Sequence, residues 1–231
     1  MFFFDPTYLI FMIPAFILMG ITSWYVRHAN NKWSQVRAGS GLTGYQAAQR
    51  LLSTGSLYGV QIQGTAGSLT DHYDPRNKTL YLSNGVANSP SVASVAIAAH
   101  ELGHAMQDAE GYFPMTVRSA LVPAVNIGSN LGWILIIIGL MLRLTSIAWL
   151  GVLVFSAGAL FALATLPVEF NASWRALQAL PATGILSDTE VEGAKKVLSA
   201  AALTYVAAAA TAVMQLLYFL LRSGILGNRD E

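Results

Sequence analysis

Ile97-Ala98-Ala99-His100-Glu101-Leu102-Gly103-His104-Ala105-Met106-Gln107-Asp108 is the stretch around which the rest of the chain is organised. Its centre fits the pattern H-E-x-x-H. On a helix, four residues turn through about 400°, so His100 and His104 share one face, a turn apart. Two imidazoles placed this way can reach a single zinc ion, at bond lengths of roughly 2.0–2.1 Å. Glu101 falls about 100° further round from His100, beside such an ion rather than on it. From there its carboxylate can take a proton from an attacking water and pass it to a leaving amine. The pattern is short, so the remaining chain has to supply a further ligand and a topology that brings it near.

Composition sets the class. The chain of 231 residues is 54% hydrophobic and only 11% charged, with a mean hydropathy of +0.51. An ordinary soluble domain carries about 25% charged residues, so this is read as an integral membrane protein. A formal net charge of +1 gives no basic field for nucleic acid. With no cysteine there are no disulfides, no thiolate ligands and no cysteine nucleophile. Any metal must be held by the four histidines and twelve carboxylates.

Four apolar stretches punctuate the chain. Residues 1–27 hold the first, read as a retained transmembrane helix rather than a removed signal, because Met1–Pro6 offers no basic start or small-residue cleavage site. Trp24, Tyr25 and Trp33 fit an interfacial aromatic belt, and His28 sits among them. Spans at 120–142 and 146–166 follow with a tight turn between them, and an alanine-rich span at 201–222 comes last. The polar segments 28–119 and 167–200 therefore lie on one side, separated by two crossings. Arg27, Lys32, Arg37, Arg118, Arg175, Lys195 and Lys196 mark that side, against Arg143, Arg222 and Arg229 on the other. The positive-inside bias puts both polar segments in the cytoplasm.

Within 28–119, Thr43 reads as an N-cap, with Ala47, Ala48, Leu51 and Leu52 as the apolar stripe of a helix ending at Gly55. Residues 60–63 and 79–83 alternate as short strands, and Asp71–Lys78 between them reads as a turn. Ser89, with Pro90 at the first helical position, opens the helix of the H-E-x-x-H motif, and Gly111 ends it. Pro167 marks a kink, after which Glu169–Leu180 continues as a helix to Pro181. Ser187-Asp188-Thr189-Glu190 reads as a capping box opening the last helix.

A catalytic zinc site has three protein ligands and one open position. Among the carboxylates after residue 166, Asp188, Glu190 and Glu192 cluster at a helix start, where the dipole accounts for them. Asp230 and Glu231 fall on the wrong side. Glu169 stands at the membrane face on an amphipathic helix that otherwise shows apolar or small residues, and such a carboxylate is read as functional.

His100-Glu101-Leu102-Gly103-His104 followed by Glu169-Phe170-Asn171-Ala172-Ser173-Trp174-Arg175-Ala176 resembles the membrane zinc metallopeptidases related to HtpX and the CAAX prenyl proteases, whose downstream motif reads roughly E-x-x-A-D-x-x-A. Over nearly its whole length, including Leu69–Lys78 and Leu166–Phe170, the chain more closely resembles the YugP-type neutral zinc metallopeptidases of bacterial membranes. The resemblance implies one catalytic zinc held by His100, His104 and Glu169, with Glu101 as general base. Ser173 stands where the broader group carries an aspartate that orients a ligating histidine. Ser173 or Asp108, a turn beyond His104, could take that role.

Other residues have two readings each. Asp108 is either that orienting group or a solvated helix residue. His72 and Tyr73 either donate to a tetrahedral oxyanion or stabilise their own turn. Arg175 either serves the oxyanion or anchors the cytoplasmic side. Gly103 allows close packing or an open cleft, and strand 79–83 either pairs with substrate or lies inside a sheet. The sequence is thus read as four transmembrane helices with a small cytoplasmic α+β zincin-like domain. The expected function is a zinc endopeptidase acting on polypeptides, above all membrane proteins, in the bacterial cytoplasmic membrane. The rivals are an intramembrane zinc protease and a non-proteolytic zinc-binding scaffold. The apolar run Val92–Ala99 raises the first, but Asn84–Asn88, Asp108 and Glu110 leave it too short to span. Glu101 argues against the second, since a structural site needs no general base.

Overall fold

A computed structural model describes residues 6–55, 57–142 and 144–222. Met1–Asp5, Arg143, Arg229, Asp230 and Glu231, which entered the reading of the termini and of charge bias, lie outside them. The elements run α1 (Pro6–Ser34), α2 (Gly44–Thr54), β1 (Gln61–Thr65), β2 (His72–Asp74), β3 (Thr79–Ser83), α3 (Asn84–Ala87), α4 (Val92–Ala109), α5 (Phe113–Met141), α6 (Thr145–Ala182) and α7 (Asp188–Arg222).

Helices α1, α6 and α7 are each long and apolar enough to cross a membrane. Phe113–Asn126 and Asn130–Met141, bent by 47° relative to one another, would make a fourth span if counted together. The bend falls between Asn126 and Asn130, a stretch whose sequence includes the Gly128-Ser129 pair, a combination that commonly allows kinks.

The described residues form two compact units. The first lies within Met1–Thr22, Thr116–Leu166 and Tyr205–Glu231. Its core joins Tyr8, Met12, Ile136, Val152, Phe155, Tyr218 and Phe219. Phe219 meets the rings of Trp133 and Phe155 edge-on at 5.1 and 5.4 Å, the arrangement that ring quadrupoles favour. Glycines let α5 and α6 approach closely: a Cβ on Gly151 would lie 2.6 Å from the amide nitrogen of Ile136. Small residues serve this purpose between apolar helices, where van der Waals packing replaces hydrophobic drive.

The second unit, Ser23–Met115 with Pro167–Thr204, is built around α4. Its residues Val92, Val95, Ala96, Ala98, Ala99, Leu102 and Ala105 are buried in one core with Leu51, Leu80, Leu82, Val168 and Ala176. The sheet has the order β1-β3-β2, with β1 parallel and β2 antiparallel to β3. Strand β3 is therefore the interior strand, the second of the two readings of Thr79–Ser83, with β1 along its whole length and β2 along Thr79–Tyr81. The expected turn Asp71–Lys78 is shorter than the sequence suggested. His72–Asp74 pair with Tyr81, Leu80 and Thr79, leaving only residues 75–78 to turn.

Helix α2 begins as read, with a reciprocal capping box between Thr43 and Gln46. Helix α4 starts two residues later than expected. The Pro90 carbonyl accepts from the Ala38 amide at 2.9 Å, and Ser91 bridges to Arg37, which keeps this segment extended. Ser91, not Ser89, is the cap: its hydroxyl accepts from the Ser94 amide at 3.2 Å. Gly111 follows α4 at a φ of 64°, where a residue without Cβ is unstrained. Pro167 does not end α6, which runs through it to Ala182. At the start of α7 the Ser187 amide and hydroxyl both donate to Glu190 Oε2, and the Gly39 amide donates to Oε1, so local bonds account for Glu190. Trp33 is packed onto Gly193 rather than left in a belt: a Cβ there would lie 2.5 Å from its ring.

Candidate metal centre

The helical period fixes half of the centre. His100 and His104 stand one turn apart on α4, their rings edge-to-face with centroids 4.9 Å apart. Glu169 comes from α6, which lies against this face of α4 because Gly103 has no side chain. A Cβ on Gly103 would sit 2.5 Å from the Ala172 carbonyl oxygen and 2.9 Å from its Cα. Glu169 Oε2 then lies 3.3 Å from His100 Nε2 and 3.6 Å from His104 Nε2. His100, His104 and Glu169 are 9%, 7% and 2% exposed.

These separations test whether a zinc ion fits. Ligands bound tetrahedrally at 2.0–2.1 Å stand about 3.3 Å from one another, and the two nitrogen–oxygen distances match that edge. One ligand atom from each of the three residues falls within 4.8 Å of the others. Two nitrogens and one carboxylate oxygen are also a donor set that zinc accepts while keeping a fourth position open. A buried carboxylate between two imidazoles is costly to maintain without such a shared cation.

Glu101, between the two histidines in sequence, is half-buried. Burial pushes its carboxyl above the ordinary range, His100 and His104 pull it back, and Glu169 and Asp71 push it up again. A carboxyl raised in this way takes up a proton more readily than an ordinary glutamate, as a general base requires.

A family profile described as "Putative neutral zinc metallopeptidase" matches residues 8–224. The chain belongs to that family. A relative, "Putative membrane protease YugP" of Bacillus subtilis (strain 168), is 40% identical over 226 residues, covering 96% of this chain and all of that one. No solved structure matches. Membership of a zinc peptidase family implies zinc, and His100, His104 and Glu169 are the residues placed to hold it.

Around these three candidate ligands, the chain distributes the other expected residues unevenly. The Ser173 hydroxyl lies 3.1 Å from His100 Nδ1, in the position of an orienting group. Asp108 does not reach His104; it accepts a hydrogen bond from the Tyr73 hydroxyl at 2.9 Å. Tyr73 is buried, and burial together with Asp108 pushes its hydroxyl well above the ordinary tyrosine value, so it remains a donor. That hydrogen is therefore engaged by Asp108 rather than offered to an oxyanion. His72, next in the strand, points to the opposite sheet face from Tyr73, as a period of two requires. It is exposed, stacked on Tyr81 at 4.7 Å, with Nδ1 donating to the Thr70 carbonyl. Arg175 is taken up by Glu110, which accepts two hydrogen bonds at 2.6 and 2.7 Å, and by Asn171.

The residue missed in the sequence is Gln107. Its Oε1 accepts from His104 Nδ1 at 3.0 Å, and its Nε2 donates to the Val168 carbonyl at 2.8 Å and to Asn171 Oδ1 at 3.0 Å. The signal was present: Gln107 is three residues after His104 on the same helix, a spacing that puts side chains in contact.

Proposed function

We propose that this protein is a membrane-bound zinc endopeptidase, hydrolysing peptide bonds of membrane proteins near the cytoplasmic face of the bacterial cytoplasmic membrane. The observation that carries this reading is the convergence of His100, His104 and Glu169 from two helices, with Glu101 adjoining the first ligand. When bound, zinc supplies Lewis acidity, polarising the scissile carbonyl and acidifying water. Glu101 takes the proton from the attacking water, holds it on its carboxyl oxygen and delivers it to the departing amine nitrogen. Ser173 and Gln107 hold the two imidazoles so that both Nε2 atoms face Glu169. Four spans, counting the bent α5 as one, put residues 28–119 and 167–200 on the same side of the membrane as the zincin-like catalytic domain. The basic residues flanking these segments favour the cytoplasm. Substrates cut close to the bilayer are favoured because Glu169 directly follows residues 146–166 on α6, a stretch apolar enough to span.

The deciding experiment compares the wild type with Glu101→Gln, purified in detergent and reconstituted. Wild type is expected to cleave an unstructured reporter tethered to a transmembrane helix, while the variant binds one zinc and cleaves nothing. Activity retained by Glu101→Gln would overturn the mechanism. Equal cleavage of the tethered reporter and a soluble unfolded chain would remove the preference for membrane substrates.

A further inference from the structure

We infer that Gln107 is a positioning residue for the metal centre: it sets the tautomer of His104, and its own orientation is dictated by Arg175 through Asn171. The inference rests on the zinc-binding reading above and adds to it the device that fixes one ligand.

The reasoning starts at the far end, with a group whose role is not open. A guanidinium can only donate. Arg175 is held in place by Glu110 and by the ring of Tyr112, 5.9 Å from the guanidinium carbon. Its Nε lies 2.7 Å from Asn171, so the Asn171 atom facing it must be the oxygen. That same oxygen faces the Gln107 amide at 3.0 Å, and two acceptors do not bond, so the Gln107 atom there must be the nitrogen. The Val168 carbonyl, facing the same nitrogen at 2.8 Å, imposes the same answer independently. Gln107 therefore turns its oxygen towards His104 Nδ1, 3.0 Å away, and an oxygen without hydrogens can be matched only by Nδ1–H. The lone pair of the neutral ring is thereby placed on Nε2, the atom 3.6 Å from Glu169 and facing the metal position.

Each link is forced by the one before it, and Gln107 is wholly buried, with both ends of its amide taken up by the partners named. A flipped amide would leave an NH2 facing Nδ1 and an oxygen facing two oxygens. The arrangement differs from the carboxylate that usually supports a ligating histidine. Here the histidine is oriented by a neutral group, because the site beneath it is already lined by two acceptors.

That difference makes the inference testable against the simpler idea that any acceptor at position 107 would serve. Gln107→Glu keeps an acceptor for His104 but sets a carboxylate against the Val168 carbonyl and Asn171 Oδ1. Asn171→Asp keeps the oxygen that both Arg175 and Gln107 use. The full chain in detergent is titrated with zinc against a competing chelator, and with cobalt, whose visible absorption reports the ligand geometry. Gln107→Glu and Gln107→Leu are expected to weaken zinc affinity by roughly 10- to 100-fold and to change the cobalt spectrum. Asn171→Asp is expected to match the wild type, and Asn171→Leu to fall with the Gln107 variants. Thermal unfolding of the metal-free proteins identifies any variant that merely fails to fold, and the two Asn171 variants then carry the test. Wild-type affinity and spectrum in Gln107→Glu, or in both Gln107→Leu and Asn171→Leu, would overturn the assignment while leaving the zinc site standing. A wild type that binds no zinc, with no difference from His104→Ala, would overturn the zinc reading and this assignment with it.

Discussion

Gly103 shows how much one hydrogen atom in place of a methyl can decide. In a helix interior, alanine is favoured over glycine by about 1 kcal/mol, so Gly103→Ala ought to stabilise α4 in isolation. Its Cβ would instead meet the Ala172 backbone at 2.5 Å, and backbone cannot swing aside as a side chain can. We expect Gly103→Ala to lower stability by about 1–3 kcal/mol and to weaken zinc binding by separating Glu169 from the two histidines. Denaturant unfolding and zinc titration would show both, and a stabilised variant with unchanged affinity would refute the close contact. Tyr73 gives a second prediction at this scale. Its pKa is raised in the folded state, so the stability it confers is complete below about pH 10, where free tyrosine titrates, and is lost as pH rises towards the folded value. The advantage of wild type over Tyr73→Phe, about 1 kcal/mol near neutrality, should therefore shrink progressively above pH 10. A constant difference would argue against the Tyr73–Asp108 bond. Much at this scale was legible. The two candidate ligands on α4 follow from helical geometry, and the candidacy of Glu169 from its being the lone carboxylate of its helix. The partners of their ring nitrogens were not, because an amide reads as an acceptor or a donor only once its neighbours are known.

Elements were legible where a local signal set them and obscure where a distant one did. Helix α2 announces itself through Thr43 and Gln46, which cap each other within one turn. The start of α4 does not, because Pro90 and Ser91 are held extended by Val36–Ala38, more than fifty residues away in sequence. Strand β2 was hidden for a similar reason: Asp-His-Tyr-Asp carries turn-forming residues, and only pairing with β3 makes three of them a strand. The position of the α4 cap can be checked by substitution. Ser91→Ala should cost about 1 kcal/mol, whereas Ser89→Ala, which leaves its backbone bond to Gly44 intact, should cost almost nothing. Thermal or denaturant unfolding would measure both, and the reverse order would restore the cap to Ser89.

For the molecule as a whole, composition alone indicated a membrane protein, and the long apolar helices agree with it. The division into two units was less readable, because α1, α6 and α7 each continue through the point where one unit gives way to the other. The proposed orientation is open to a direct test, since a chain without cysteine accepts single reporters cleanly. Ser40→Cys and Thr183→Cys should resist a membrane-impermeant maleimide added to intact cells, and Arg143→Cys should react. Labelling of Ser40→Cys or Thr183→Cys would place the catalytic segments outside. Metal removal supplies the remaining prediction. A ligand bound by the folded state alone raises its stability in proportion to the logarithm of ligand concentration over Kd. Chelator should therefore lower the unfolding temperature, and added zinc should restore it in the wild type but not in His104→Ala.

The sequence distance between the candidate ligands says why such an ion would favour the folded state. His104 and Glu169 are separated by the whole of α5 and most of α6, so one ion bound to both would close a long loop of chain. A free chain resists such a closure by roughly 4 kcal/mol of entropy, so the ion would hold the loop shut only in the folded state. The protein carries no disulfide to do this. The same ion would then act as a removable fastener between distant parts of the chain, tightened or released by metal supply rather than by redox state.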